Sequence, residues 1–309
     1  MERKCYNKTD KEKRRARNME IQLFNFWYFV WLALCIGAFF GLYFLLKNKT
    51  EQTKKWTLFS ILVFALVLHF LKCFIPPYST DQSRLYRDIW FVNICGANIF
   101  LFPFIFLSKN KAAKDYMVIF GIISGIVSVL YPLEPIKKVD QAAEWLDIVR
   151  FYIHHSILWI VPLLTVIFKL HEISYKRVWQ VPGSLLLVML FIMLNQIFQS
   201  ELGFVPLRGD DFFAIGYKNT SYIWGPDDAI GNIIALFCPK IFKTVPAGEF
   251  AGQTKYWPWF WMIVPAYIII TPLAFIVTLV FDHKSFKADV QAFKEKCKTR
   301  RSVDKSKGE

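Results

Sequence analysis

The chain has 309 residues, 55% of them hydrophobic and 18% aromatic, with a formal net charge of +14 and a mean hydropathy of +0.32. That balance is too apolar for an ordinary water-soluble domain of this length. The positive charge gathers in residues 1–20 and 282–309, which points to anionic lipid rather than nucleic acid, at on the order of 1 kcal/mol per Lys or Arg near such a surface.

A basic tail, 1–22, opens the chain. It is expected to remain uncleaved, because the apolar block after it is longer than a signal-peptide core and lacks a small-residue cleavage site. About seven apolar blocks follow, at 24–46, 57–75, 88–107, 116–133, 148–170, 181–199 and 259–281. Each has roughly the length that crosses a hydrocarbon core. Aromatics crowd the block ends, as in Phe26-Trp27-Tyr28 and Tyr256-Trp257-Pro258-Trp259, where amphipathic rings sit at headgroup level. The expected fold class is all-α: a polytopic transmembrane helix bundle of about seven spanning helices, multi-pass in the cell membrane. Its membrane domain is 23–281, followed by a basic C-terminal tail at 282–309.

Connections among the first six blocks are short, which makes neighbouring helices antiparallel. The exception is the long loop 200–258, expected to act as a lid, an interfacial helix, a re-entrant segment or a plain extramembrane loop. It carries Asp210, Asp211, Asp227 and Asp228 beside Tyr217, Tyr222 and Trp224, and an apolar patch, 229–243, too short to span. An odd number of spans puts the basic tails on opposite sides, whereas the positive-inside rule wants both in the cytoplasm. An eighth crossing through 229–243 would reconcile them.

Polar groups inside spans are costly, roughly 2 to 3 kcal/mol each on insertion scales, and so are candidates for function. At 1.5 Å rise per residue in antiparallel helices, His69, Cys95, Ser128, His154, His155 and Asn195 fall in one layer, roughly 6 to 11 Å below one surface. Cys95 and Asn98 share a helix face, with Arg84, Arg87 and Asp88 just above them. A basic rim over a thiol suits a phosphate headgroup. A Cys beside a His has the parts for acyl transfer, since imidazole takes the thiol proton and the thiolate attacks an ester carbonyl. Asn98 or Asn195 would orient the imidazole or donate to the oxyanion. His154 and His155 point about 100° apart on a helix, so one of them faces Cys95 squarely.

Gly121 and Gly125 stand at GxxxG spacing with Ser124 and Ser128, a packing pattern. Pro103, Pro132 and Pro162 suggest kinks or terminations. Cys5, Cys35, Cys73, Cys95, Cys238 and Cys297 are scattered without a CxxC pair, so neither a disulfide framework nor a metal site is implied, and no nucleotide or haem motif calls for a cofactor.

Three segments resemble the YwaF-type bacterial integral membrane proteins, a family whose distant animal relatives include a Cys/His phospholipid acyltransferase. They are Trp90-Phe91-Val92-Asn93-Ile94-Cys95; Phe151-Tyr152-Ile153-His154-His155 with Pro162; and Asn219, Tyr222 and Pro226. The resemblance covers about residues 55–245 and not the tails. It implies Cys95 as nucleophile and His155, better than His154, as base. In that family a His stands two residues before the Cys; here Asn93 takes that place. The expected function is a membrane-embedded lipid acyltransferase or acyl hydrolase on a phospholipid or other acyl ester, with Arg84 or Arg87 steering the headgroup. The alternatives are a small-solute permease with His69, Asn98, His155 and Asn195 lining its path, and a non-catalytic membrane scaffold.

Overall fold

The computed structural model describes residues 20–306 except 139, 206 and 209, with the side chains of 83, 86, 87 and 300–306 also left undescribed. The N-terminal tail up to residue 19 and the side chain of Arg87 therefore lie outside the described residues. The helices are α1 (Phe26–Leu46), α2 (Glu51–Leu71), α3 (Gln82–Ile89), α4 (Ile94–Leu107), α5 (Lys111–Leu130), α6 (Leu133–Ile136), α7 (Trp145–Ile167), α8 (Gln180–Glu201), α9 (Ala229–Ala235) and α10 (Ile263–Ser306).

Six helical stretches among the described residues are long and apolar enough to cross a membrane, one fewer than the blocks counted in the sequence. The difference lies in the third block. Its first residues complete α3, a short helix capped by Asp81, whose side chain accepts from the Arg84 N–H at 3.1 Å. The chain is then extended at Trp90 and Asn93 before α4 begins. Asn93 is what restarts it: its side-chain oxygen accepts from the Gly96 N–H at 2.8 Å, as an N-cap does. At fourteen residues, α4 is about 21 Å long and falls short of a hydrocarbon core of about 30 Å.

The closest helix pair is α5 against α7. Gly121 and Gly125 make it so, because a Cβ on Gly125 would lie 2.8 Å from the His155 carbonyl oxygen and 2.9 Å from Trp159 Cβ, and one on Gly121 would lie 2.7 Å from Pro162 Cγ. The small-residue stripe thus sets how near α5 comes to the helix that carries both histidines.

The chain enters the bundle at one end and leaves at the other. Before α1, the Ile21 N–H donates to Gln141 Oε1 at 2.6 Å and the Gln141 amide returns a bond to the Ile21 carbonyl at 3.2 Å. At the opposite end the Tyr175 N–H donates to Asp282 at 3.1 Å, and Lys176 pairs with Asp289 at 2.6 Å. Arg177 and His171 both meet the buried Asp115 there, at 2.6 and 2.7 Å. The eighth crossing through 229–243 is not present: only Ala229–Ala235 is α-helical, seven residues, about 10 Å of rise.

The long loop is a folded segment tied to the bundle by indole N–H groups. Trp224 donates to Gln196 at 2.9 Å, Trp259 to the Leu186 carbonyl at 2.8 Å, and Trp261 to the Tyr222 carbonyl at 2.9 Å.

The glycine stripe yields a test. Gly125→Ala is expected to cost about 1–3 kcal/mol by overpacking and to lower the unfolding midpoint in detergent. Gly37→Ala, where a Cβ meets nothing within 4 Å, is expected to leave the midpoint unchanged or to raise it.

Candidate functional site: a polar cavity at one end of the bundle

The break between α3 and α4 leaves backbone carbonyls without helical partners, and side chains from neighbouring elements take them up. His69 Nε2 lies 3.0 Å from the Ile89 carbonyl. Lys72 Nζ donates to the Asp88 carbonyl. Gln196 Nε2 donates to the Val92 carbonyl at 3.1 Å. Beside this break lies a cavity of about 550 Å³, whose wall includes His69, Cys95, His154 and His155.

The hydrogen bonds assign a tautomer to each histidine, since a carbonyl can only accept and a guanidinium can only donate. His155 Nδ1 is 2.8 Å from the Phe151 carbonyl, so it carries the proton and Nε2 holds a free lone pair. His154 is the reverse. Arg150 Nη1 donates to its Nδ1 at 3.1 Å, which puts the proton on Nε2, a buried atom with no hydrogen-bond partner among the described residues. His69 donates from Nε2, and its ring stacks on Phe91 at 5.4 Å and His154 at 6.1 Å. One imidazole is therefore available as a base and its neighbour as a donor.

Cys95 is the second residue of α4, and its thiol is hydrogen-bonded to Ser128. Arg84 lines the same cavity and stands 3.9 Å from Asp88. The two asparagines lie elsewhere. Asn98 is fully buried and accepts from the Tyr116 hydroxyl at 2.8 Å, tying α4 to α5. Asn195 has a buried amide nitrogen with no partner among the described residues. Neither belongs to the cavity wall, because depth along the axis does not fix which way a side chain points. One residue on, Gln196 faces inward and accepts from Asn219 at 3.2 Å and Trp224 at 2.9 Å.

The cavity wall also holds Lys72, Tyr78, Glu134, Arg150, Lys218 and Asp227. Tyr78 sits between three cations, with Lys72, Arg84 and Arg150 at 5.2, 5.9 and 5.7 Å from its ring. Burial, chiefly, holds its phenol above the ordinary value. Arg150 is fixed by Asp147 at 2.6 Å and Glu134 at 3.7 Å. Lys138 joins Asp147 at 2.7 Å and Glu144 at 2.5 Å. The sequence did carry a signal for this network: Asp147, just before the fifth block, and Arg150 and His154 within it stand at i, i+3 and i+7, one helix face. Lys72 gave no comparable signal, since a Lys near a block end reads as an interface residue. Among the described residues no group of three His, Cys, Asp or Glu is placed to hold a metal ion.

Next to the wall residue Asp227, Asp228 caps α9, accepting from the Gly231 N–H at 2.8 Å and the Tyr222 hydroxyl at 2.7 Å. Burial pushes its carboxyl up, but these bonds outweigh that and hold it below the ordinary value. A depressed folded-state value means the cap stabilises at neutral pH and is lost as acid protonates it.

Six apolar spans around a polar cavity, walled by buried charges and three histidines, define a polytopic helical membrane protein with an internal site at one end. A family model described as TMEM164 family matches residues 23–278, and the chain belongs to that family. No curated protein and no solved structure matched the chain.

Gln196→Leu would strip the Val92 carbonyl and the Trp224 indole of their Gln196 partner and leave the Asn219 amide only Tyr217, at about 1–3 kcal/mol for each buried group left unpaired. The expected outcome is faster limited proteolysis within residues 202–228 with the helical circular dichroism retained. Unchanged cleavage rates would count against the tether.

Proposed function

We propose that the chain is a membrane-embedded lipid acyltransferase or acyl hydrolase in which Cys95 is the nucleophile and His155 the general base. The observation that carries this reading is that Cys95 and His155 line one cavity while His155 keeps its Nε2 lone pair free, Nδ1 being engaged by the Phe151 carbonyl. That nitrogen would take the thiol proton. The thiolate would then attack the carbonyl carbon of a lipid ester, forming a C–S bond, and the same proton would pass to the departing alkoxide. An alcohol or water would resolve the thioester in the second half-reaction.

The His154 Nε2–H would serve as a donor for the oxyanion, because His154 lines the same cavity and this N–H is otherwise unpartnered among the described residues. Lys72, Arg84 and Lys218 on the same wall offer a cationic seat for a headgroup phosphate, as Arg84 was expected to. The likeness of the Cys95 and His155 segments to YwaF-type proteins and their animal acyltransferase relatives supports the same assignment.

A second reading draws on the interrupted α3–α4 helix, since discontinuous helices beside a polar cavity are also a feature of transporters. In that case the histidines would line a solute path.

Lipid mass spectrometry of membranes holding the wild type, Cys95→Ala or His155→Ala at matched protein levels separates the two. Acyl-chain remodelling that falls by about 100-fold or more in both variants is expected for the nucleophile and base. Remodelling unaffected by either variant sinks the Cys/His mechanism. Solute uptake into proteoliposomes that survives Cys95→Ala would favour the permease.

A further inference from the structure

α1 stands off the bundle on aromatic spacers. Trp31 stacks on Tyr152 of α7 at 4.5 Å, Phe39 meets Trp159 at 5.5 Å, and Tyr43 stacks on Phe168 at 5.9 Å. Between these wide contacts α1 offers the small side chains of Cys35 and Ala38. A slot of about 290 Å³ results, walled by Leu34, Ala38, Leu42, Ile61, Ile157 and Ile160. Leu34 is 57% exposed on the outer surface of the bundle, so the slot opens where lipid surrounds the helices.

One polar feature interrupts this wall. Tyr152 lines the slot and is only 2% exposed, yet its hydroxyl has no hydrogen-bond partner among the described residues. Ser156 and Cys35, also on the wall, already bond each other. A buried hydroxyl left unpaired in hydrocarbon is costly and calls for an acceptor. Tyr152 lies seven residues into α7 (Trp145–Ile167), about 10 Å along the axis from the helix end.

We propose that this slot binds one acyl chain of a glycerolipid, the chain lying along Ile157, Ile160 and Leu42 and its ester carbonyl accepting from the Tyr152 hydroxyl. Hydrocarbon is what a bilayer supplies to an apolar slot open to it, and the ester carbonyl is the acceptor that arrives with an acyl chain. The site is distinct from the polar cavity, with which it shares no wall residue. It does not rest on the enzymatic reading.

The test uses the full chain in phosphatidylcholine nanodiscs containing a trace of phosphatidylcholine with a diazirine in one acyl chain, followed by photolysis and peptide mapping. Label is expected to concentrate in residues 34–42 and 152–161. Tyr152→Phe, which keeps the Trp31 stack, is expected to lower that label about fivefold, the effect of one net hydrogen bond. Ala38→Leu, which fills the slot, should lower it further, and Cys95→Ala should leave it unchanged. Label spread evenly over all lipid-facing helices, or unchanged in Tyr152→Phe and Ala38→Leu, overturns the site. Label from a diazirine sterol in place of the phospholipid overturns the acyl-chain assignment.

Discussion

The structure depends on one constraint: a helix interrupted within a membrane protein must have every freed backbone group satisfied by the protein itself. The interruption lies at residues 90–93. His69, Lys72 and Gln196 answer it by occupying the carbonyls of Ile89, Asp88 and Val92. Three polar side chains that would be expensive alone are thereby held in place, and the gap they border is the cavity. Cys95 owes its position to the same break, since it sits in the first turn of the restarted helix, just after the Asn93 cap.

Charge burial follows a similar logic. Arg150, Asp147, Lys138 and Glu144 form a connected set in which Asp147 is fully buried. Such pairs add little stability over apolar packing, but removing one partner strands the other at a cost of about 3–5 kcal/mol. What the set does locally is fix Arg150, whose guanidinium in turn decides which nitrogen of His154 bears its proton. Neighbouring histidines on one helix thus present opposite faces of imidazole chemistry, one a lone pair and the other an N–H. At the far end, Asp115 collects Arg177 and His171 and holds the α7–α8 connection to α5, well away from the cavity.

The apolar blocks, their number to within one, and the antiparallel order were legible because bilayer thickness imposes a length on every spanning helix. The GxxxG stripe read correctly as packing, since the spacing alone puts both glycines on one face. The shared depth of His69, Cys95, His154 and His155 was also legible, a matter of rise per residue. Ser128 and Asn195, placed in the same layer by that reading, and Asn98, placed on the Cys95 face, are not on the cavity wall.

What the sequence determined by itself was therefore the axial coordinate: which residues are in the membrane and at what level. Only the tertiary structure decided the angular one. The third block reads as one continuous span because only Asp88, Asn93 and Asn98 interrupt its apolar run. It is broken because Asn93 can cap a new helix and because His69 of α2, Lys72 just after it and Gln196 of α8 donate to the freed carbonyls. Likewise Lys72, Tyr78 and Lys218 line the cavity, and Gln196 holds the Val92 carbonyl beside it, only when the 72–81 connection, the 202–259 segment and α8 are brought together, a juxtaposition set by long-range packing that no local pattern encodes.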